Sequence, residues 1–500
     1  MTLQTFLTQA STYDTVPVVK RYYVDQSTPI QMFTKLQERA AYILESRDEQ
    51  SLWSKHSFIG IDPTLQIKQG KDDFQIMDMN DERLSSQETL EEAFQYVKAT
   101  RNLLPHTSDL PFSGGGVGYM AYEAAYQLDR VRTVQDHRQD KPLYHFVFCD
   151  VLLAYHHQTG DLDVIHYVDA QNKSNLEELY EQAIRDMDVL VKEMMSTQSS
   201  SPLLTDMEGG VEEEFNTFES NYEKAAFLRD VERIQEWIKA GDIFQAVLSQ
   251  RFSKQTNVGG LELYRSLRMI NPSPYMFYIR LDGTEIIGSS PEKLVEVQQN
   301  GIEIHPIAGT RPRGKTVEED RALGEDLLAD EKERAEHHML VDLARNDVGR
   351  VASFGSVHTP VLLELAMFSH VMHLISKVRG TLSSDHTSFD ALNAGFPAGT
   401  VSGAPKIRAM EILNELEPTS RGIYAGAICY IGYNDQIDSC IAIRTMTLEQ
   451  GTVSVQAGAG IVADSVPENE WQETRNKAMG LVRAIIHAEK QTIEGSNSYV

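Results

Sequence analysis

The sequence predicts an α+β protein in which antiparallel β-sheet is wrapped by helices. Two observations lead there. Four short apolar segments, 275–281, 284–288, 293–297 and 302–307, follow one another with no room for a crossover helix, and strands joined that tightly pair antiparallel. Longer helix-period patterns at 221–240, 317–349, 404–416 and 467–490 surround them and supply the cover.

Taken along the chain, the first half reads as a helix near 87–104, strands at 143–155 and 162–168, and a charge-alternating helix at 174–195. Residues 196–214 (STQSSSPLLTDMEGGVEEE), rich in Ser, Gly and acid, read as a linker or long surface loop. Beyond them come the amphipathic helix 221–240, the strand series above, and further strands at 371–379, 424–432, 439–448 and 452–457. The expected division is therefore an N-terminal domain over 1–195, a linker over 196–214, a domain carrying the chemistry over 215–490, and a tail over 491–500.

The 500 residues carry a formal charge of -27, which excludes nucleic acid as a partner, because neutralising phosphates needs a basic face. An anionic ligand would have to find its positive charge locally, in a metal ion, arginine or backbone N–H groups. The mean hydropathy is -0.34 and no apolar run is long enough to span a membrane. The N-terminus lacks the basic-then-apolar order of a secretory signal. Cys149, Cys429 and Cys440 form no CxxC and read as incidental thiols in a reducing cytoplasm.

Two glycine motifs invite nucleotide binding. Gly309–Thr316 (GTRPRGKT) matches the phosphate-loop pattern, but Pro312 lacks an N–H where such a loop needs one. Gly458-Ala-Gly460 resembles a dinucleotide fingerprint, yet Asp464-Ser-Val-Pro467 falls where its helix should start; a glycine-rich anion-binding turn is the better reading. Two acidic helices are more informative. Glu333 and Glu336 share a helix face, continued by Leu340 and Ala344, and Glu470 and Glu473 repeat the spacing with Lys477 one turn on. One such pair is ordinarily a solvated face; two pairs suit a hard cation such as Mg²⁺. The adjacent His337 and His338 lack the spacing of a zinc motif.

Phe396–Lys406 (FPAGTVSGAPK) is a small-residue loop entering a helix, whose amides and Thr400 hydroxyl can receive a carboxylate. Arg444 reads as mid-strand, a costly place for a lone cation, so it is either a structural ion pair or a clamp on a substrate carboxylate. His373 also falls in a strand, where a satisfied core histidine is the ordinary expectation.

Together these segments resemble the chorismate-utilising enzymes, and within them the anthranilate synthase large-subunit family. The matching stretches are NPSPYMFYIR (271–280), GSSPEKL (288–294), PIAGTRPRG (306–314), EHHMLVDLARND (336–347), HVMHL (370–374), 397–410, 422–432, QAGAG (456–460) and 468–477, with a looser match at Leu44-Glu45-Ser46 and 114–122. The resemblance implies that family's sandwich of antiparallel sheets wrapped by helices. It also implies a reaction in which chorismate and ammonia give an aminodeoxyisochorismate that loses pyruvate to leave anthranilate, the first step of tryptophan biosynthesis.

Residue by residue, it implies Glu336 and Glu473 as Mg²⁺ ligands, with Glu470 and Glu333 behind them through water. Glu292 is implied as general acid, Glu333 as a further catalytic carboxylate, and His373 as the group serving pyruvate elimination. Gly309, Thr310, Thr400, Tyr424, Arg444, Gly458, Gly460 and Lys477 are implied to position the substrate. Leu44, Glu45, Ser46, Pro274, Tyr275 and Met276 match the elements that bind tryptophan as a feedback inhibitor, with Glu45 suited to its ammonium group.

Two departures separate neighbouring activities. Aminodeoxychorismate synthases typically carry a lysine where this chain has Ala308. Isochorismate and salicylate synthases activate water with a lysine where it has Gln245, which cannot act as a base near neutral pH. Both favour ammonia as nucleophile. None of the three cysteines lies in a glycine-rich elbow, so a separate glutamine amidotransferase subunit is the expected ammonia source. The competing readings are aminodeoxychorismate synthase, a phosphate-loop nucleotide binder, and a catalytically dead tryptophan-binding subunit.

Overall fold

A computed structural model describes residues 1–46, 55–104, 109–129, 131–134, 141–196, 211–367 and 371–497. Alternating side chains, apolar on both faces, build a continuous antiparallel sheet that folds over on itself. One run of neighbours is Gln245–Gln255, Thr452–Ile461, Thr445–Glu449, Thr284–Ser290, Tyr275–Leu281, Ala40–Glu45 and His56–Gln69, continuing through Tyr144–His156 to Asp161–Asp169 and Thr15–Tyr23. A second run leaves the same Tyr144–His156 strand through Gly115–Met120, Ala427–Gly432, Ile437–Ile441 and Lys293–Gln298, then Gly301–Ile304 and Val371–Thr381.

The two runs face each other. Tyr42, Phe277, Ile279 and Ile286 of the first meet Val117, Tyr119, Ile428 and Tyr430 of the second in one buried cluster. Their chain neighbours point the other way: Ile43, Tyr278 and Ile287 pack under helices Leu176–Met194, Gly260–Ile270 and Pro467–Asn497. Cys429 and Ile431 pack instead under Leu90–Thr100, Glu331–Gly349 and Ser388–Gly395. This period-two split is the physical content of a sandwich wrapped by helices. Strands from either side of residues 196–214 pair directly, Ala40–Glu45 with Tyr275–Leu281 and Gly115–Met120 with Ala427–Gly432.

Several expected elements are corrected. The segment 302–307 is two strands, Gly301–Ile304 and Ile307–Pro312, because Pro306 has no N–H to continue the ladder. The helical pattern 317–349 breaks at Asp330, whose carboxylate caps the second helix by accepting from the N–H groups of Lys332 and Glu333. The strand 439–448 is likewise two, Ile437–Ile441 and Thr445–Glu449; Arg444 lies between them at φ 51°, not within a strand. Gly458 and Gly460 are strand residues opposite Ser249 and Val247, not a turn.

Helix Pro467–Asn497 runs through most of the predicted tail, and Val211–Phe215 is a helix inside the predicted linker. Residues 197–210 and 498–500 of those two segments lie outside the described residues, as does His370 of the HVMHL stretch. All three cysteines are buried free thiols, and among the described residues no helix is long and apolar enough to cross a membrane.

Candidate active site

A cavity of about 840 Å³ opens where the Val371–Thr381 hairpin, the loop before Lys406–Leu416, and the starts of helices Glu331–Gly349 and Pro467–Asn497 converge. Its wall holds Glu292, Gly309, Thr310, Glu333, Glu336, His373, Thr400, Tyr424, Arg444, Gly458, Gly460, Glu470, Glu473 and Lys477, every residue expected for catalysis, substrate or metal. That volume is the usual scale of a small-molecule site.

Glu292 follows Pro291 in the short link between strands Thr284–Ser290 and Lys293–Gln298. Its carbonyl accepts from Ile441 N–H at 3.0 Å, and its carboxylate accepts from the Thr400 hydroxyl at 2.9 Å. Burial pushes this carboxyl up to about 7, against smaller opposing effects of Thr400 and Lys477. A carboxylic acid poised near neutrality can give up a proton and recover it. Thr400 is held by a single 3-10 turn, Gly399–Val401.

His373 stands opposite Thr310 in the Ile307–Pro312 ladder, where a bulge puts Gly309 at φ 74°. A side chain on Gly309 would be strained by that backbone and would press on Leu327 and a Glu333 carboxylate oxygen. The bulge turns the Gly309 carbonyl to the ring: Nδ1 of His373 lies 2.9 Å from it and 3.1 Å from the Thr310 hydroxyl. Donation to a carbonyl fixes the proton on Nδ1 and the lone pair on Nε2. Burial holds the ring below its ordinary pKa, so it is neutral and basic at Nε2.

The two acidic faces meet across the cavity. Glu336 is reached by water from the cavity yet partly desolvated, and burial, then Glu333, and more weakly Glu473, raise its pKa. Burial and Glu473 raise Glu470 against a bond from Ser465. Carboxylates that disfavour one another's charge, built of hard oxygen donors, fit a hard divalent cation, whose arrival would relieve that repulsion. Among the described residues no three His, Cys, Asp or Glu side chains already converge as a closed metal cage. His337 is no ligand: it is fully buried, bonded to Ser376 at 2.6 Å and held down to about 4 by burial.

On the opposite wall, Arg444 is nearly enclosed. Its guanidinium donates to the Lys477 carbonyl at 2.8 Å, and no carboxylate of the described residues forms an ion pair with it. Lys477 donates to the Gly458 carbonyl at 3.0 Å and pairs with Glu473 at 2.8 Å. Gly458 and Gly460 are small for a reason the ladder makes plain: a Cβ would fall 2.9 Å from the Tyr424 hydroxyl at the first, and 2.6 Å from the Gln245 amide at the second. Tyr424 is itself pushed up to about 12 by burial.

Arg311 carries no signal of its own in the sequence, yet it bonds Asp326 and Asp330 at 2.8 Å and reaches Glu333 at 3.5 Å, fixing the start of the acidic helix. Lys332 and Ser465 also line the cavity; Lys332 was visible as the residue one turn before Glu336. The phosphate-loop motif is an extended strand to Pro312, after which the N–H groups of Gly314 and Lys315 are taken by Asp320 and Glu319, so no phosphate cradle exists there.

A separate, narrow cavity is lined by Leu44, Glu45, Ser46, Pro274, Tyr275 and Met276, together with His56, Phe58 and Asp438. All six predicted inhibitor residues are thus brought together, with Glu45 directly opposite Met276 and Leu44 opposite Phe277. Pro274 borders both this cavity and the larger one. Within the smaller cavity the Glu45 carboxylate accepts from Arg268 at 2.7 and 3.1 Å and from the Tyr264 hydroxyl at 2.7 Å, and its side chain is 1% exposed.

This fold and this site define a class: the chain belongs to the chorismate binding enzyme family, whose model matches residues 39–483. Within that family its full-length relatives include anthranilate synthase component 1 of Bacillus caldotenax, 50% identical over 99% of both chains, and of Bacillus subtilis (strain 168), 45% identical over 97% of this chain and 95% of the other. The crystal structure of anthranilate synthase component I from Streptococcus pneumoniae TIGR4 superposes with a TM-score of 0.72 at 34% identity, covering 93% of this chain and 99% of that one. The menaquinone-specific isochorismate synthase of Escherichia coli shares the fold at 20% identity, with a TM-score of 0.68 over 97% of this chain and 98% of its own.

Proposed function

We propose that this chain converts chorismate and ammonia, by way of an aminodeoxyisochorismate, to anthranilate and pyruvate, the first step of tryptophan biosynthesis. The observation that carries the reading is the division of labour within one cavity: a protonatable Glu292, a neutral His373, two facing carboxylate pairs and an Arg444 without a carboxylate partner. Chorismate is a dianion that must lose a hydroxyl group and later pyruvate. Glu292 protonates the departing hydroxyl, which otherwise leaves poorly, and such an acid typically contributes about 10²–10⁴-fold. Nε2 of His373 takes the proton whose removal releases pyruvate. Arg444, Lys477, Thr400, Tyr424 and the Gly309–Thr310 and Gly458–Gly460 backbones hold the two carboxylates.

Glu336 and Glu473, with Glu333 and Glu470 beside them, would hold a magnesium ion, which when bound supplies the positive charge opposite the substrate's ring carboxylate. Ala308 and Gln245 line the cavity where neighbouring activities need lysine, which favours ammonia over a covalent amine or activated water. Because no cysteine is placed to hydrolyse glutamine, the ammonia comes from a glutamine amidotransferase subunit (component II), in the cytoplasm. The smaller cavity binds tryptophan as a feedback inhibitor, and Pro274, bordering both cavities, is the physical link between them.

The test is fluorescence detection of anthranilate from chorismate, Mg²⁺ and an ammonium salt, with chromatography of all products. A para-aminated product would transfer the chain to the aminodeoxychorismate synthases, and no aromatic product at all would refute the reading.

A further inference from the structure

Accepting the smaller cavity as the amino-acid effector site, we propose that the effector's ammonium group is received by Asp438 and not by Glu45. Glu45 has no vacancy for it. Both its oxygens accept from Arg268, the Tyr264 and Ser57 hydroxyls add a third and a fourth donor, and the guanidinium that balances its charge would repel a second cation.

Asp438 offers the opposite environment. It sits on strand Ile437–Ile441, is 2% exposed, and lines the same cavity. Its Oδ1 accepts from the Tyr275 hydroxyl at 3.0 Å, while its Oδ2 is buried with no hydrogen-bond partner among the described residues. A buried carboxylate oxygen left without a donor marks a place where one is expected from outside the chain.

The local charges agree. In the strand ladder Glu296 stands opposite Asp438, and Lys293 opposite the next cavity residue, Cys440. Lys293 is ion-paired with Glu296. Two acids thus share one amine, leaving one negative charge uncompensated beside the cavity. Burial raises the Asp438 pKa and Glu296 adds to the rise, against the opposing effect of Lys293, as expected of an acid short of cations. An ammonium supplies both missing things, a donor for Oδ2 and a positive charge. Phe58, Pro274, Met276 and Phe277 leave the rest of the cavity apolar, which suits an amino acid with a large apolar side chain.

The experiment is calorimetric titration of the full chain with tryptophan and with 3-indolepropionate, which lacks only the amine, for the parent, Asp438→Asn and Glu45→Gln. The parent is expected to prefer tryptophan by about 10- to 150-fold, the range of a charged hydrogen bond. Asp438→Asn should bring the two ligands within threefold, while Glu45→Gln keeps the preference. The same preference in Asp438→Asn, or its loss in Glu45→Gln alone, overturns the proposal. Equal binding of both ligands by the parent also overturns it while leaving the effector site standing. No binding of either removes the effector site itself, and the proposal with it. Should Asp438→Asn fail to fold, Tyr275→Phe serves: stripping the one hydroxyl from Asp438 should alter the preference at least threefold, and an unchanged preference counts against Asp438.

Discussion

The Thr400 hydroxyl donates to the Glu292 carboxylate across 2.9 Å, and so favours the charged form of a group whose burial favours the neutral one. Glu292 acts as an acid only while protonated, so activity is expected to fall as pH rises through about 7. Thr400→Val removes the bond that lowers this pKa. The descending limb of kcat/KM should therefore move up by roughly 1 pH unit, measured at constant free ammonia. A limb that stays in place would remove Glu292 from the proton transfer.

His373→Ala is expected to divide the reaction. Its ring is held by the Gly309 carbonyl and the Thr310 hydroxyl and serves only the elimination, so amination should survive while anthranilate formation drops by about 10²-fold or more. Chromatography should find the aminated intermediate accumulating. Anthranilate released at the parental rate would end the assignment.

The facing carboxylates predict a metal site that can be measured without turnover. Mn²⁺ binding, followed by paramagnetic resonance, should weaken by at least about tenfold in Glu336→Gln and again in Glu473→Gln, and excess chelator should abolish activity. Full turnover in chelator, or Mn²⁺ affinity indifferent to both variants, would leave the acidic pairs as a structural feature only.

Arg444→Gln tests whether the enclosed arginine serves ligand or fold. The KM for chorismate should rise by about 10- to 150-fold. The thermal midpoint should hold or rise, because a buried cation without a carboxylate partner costs stability. A lower midpoint with an unchanged KM would make Arg444 a structural residue.

The order and type of most elements in the second half were legible in the sequence, since short apolar runs bounded by Gly, Pro and Asn leave few alternatives. Strand Gly115–Met120 was not: all six residues are buried, so nothing alternates. His56–Gln69 mixes Asp, Lys and Gln into a long strand whose register shifts at Pro63, which blurs its period. The acidic pairs stood out because their i, i+3 spacing survives in one dimension; Glu292 and His373 carry no such spacing and were named only through the resemblance. Arg311 and Asp438 were not, because their significance lies in partners, or the lack of one, that only packing creates. Arg444 was found for a mistaken reason: as a strand residue, when it occupies a left-handed bend between two strands.

The pairing of Ala40–Glu45 with Tyr275–Leu281 also has a consequence for how the chain is made. The earlier strand leaves the ribosome long before its neighbour exists. At roughly 5–20 residues per second it waits on the order of ten to fifty seconds, presenting an apolar edge with nothing to pair it. Contacts so distant in sequence form late and slowly, so the smaller cavity is among the last parts of the molecule to be completed. A nascent or truncated chain lacking the second strand has no such cavity, and a bound effector would be a report that the whole chain has folded.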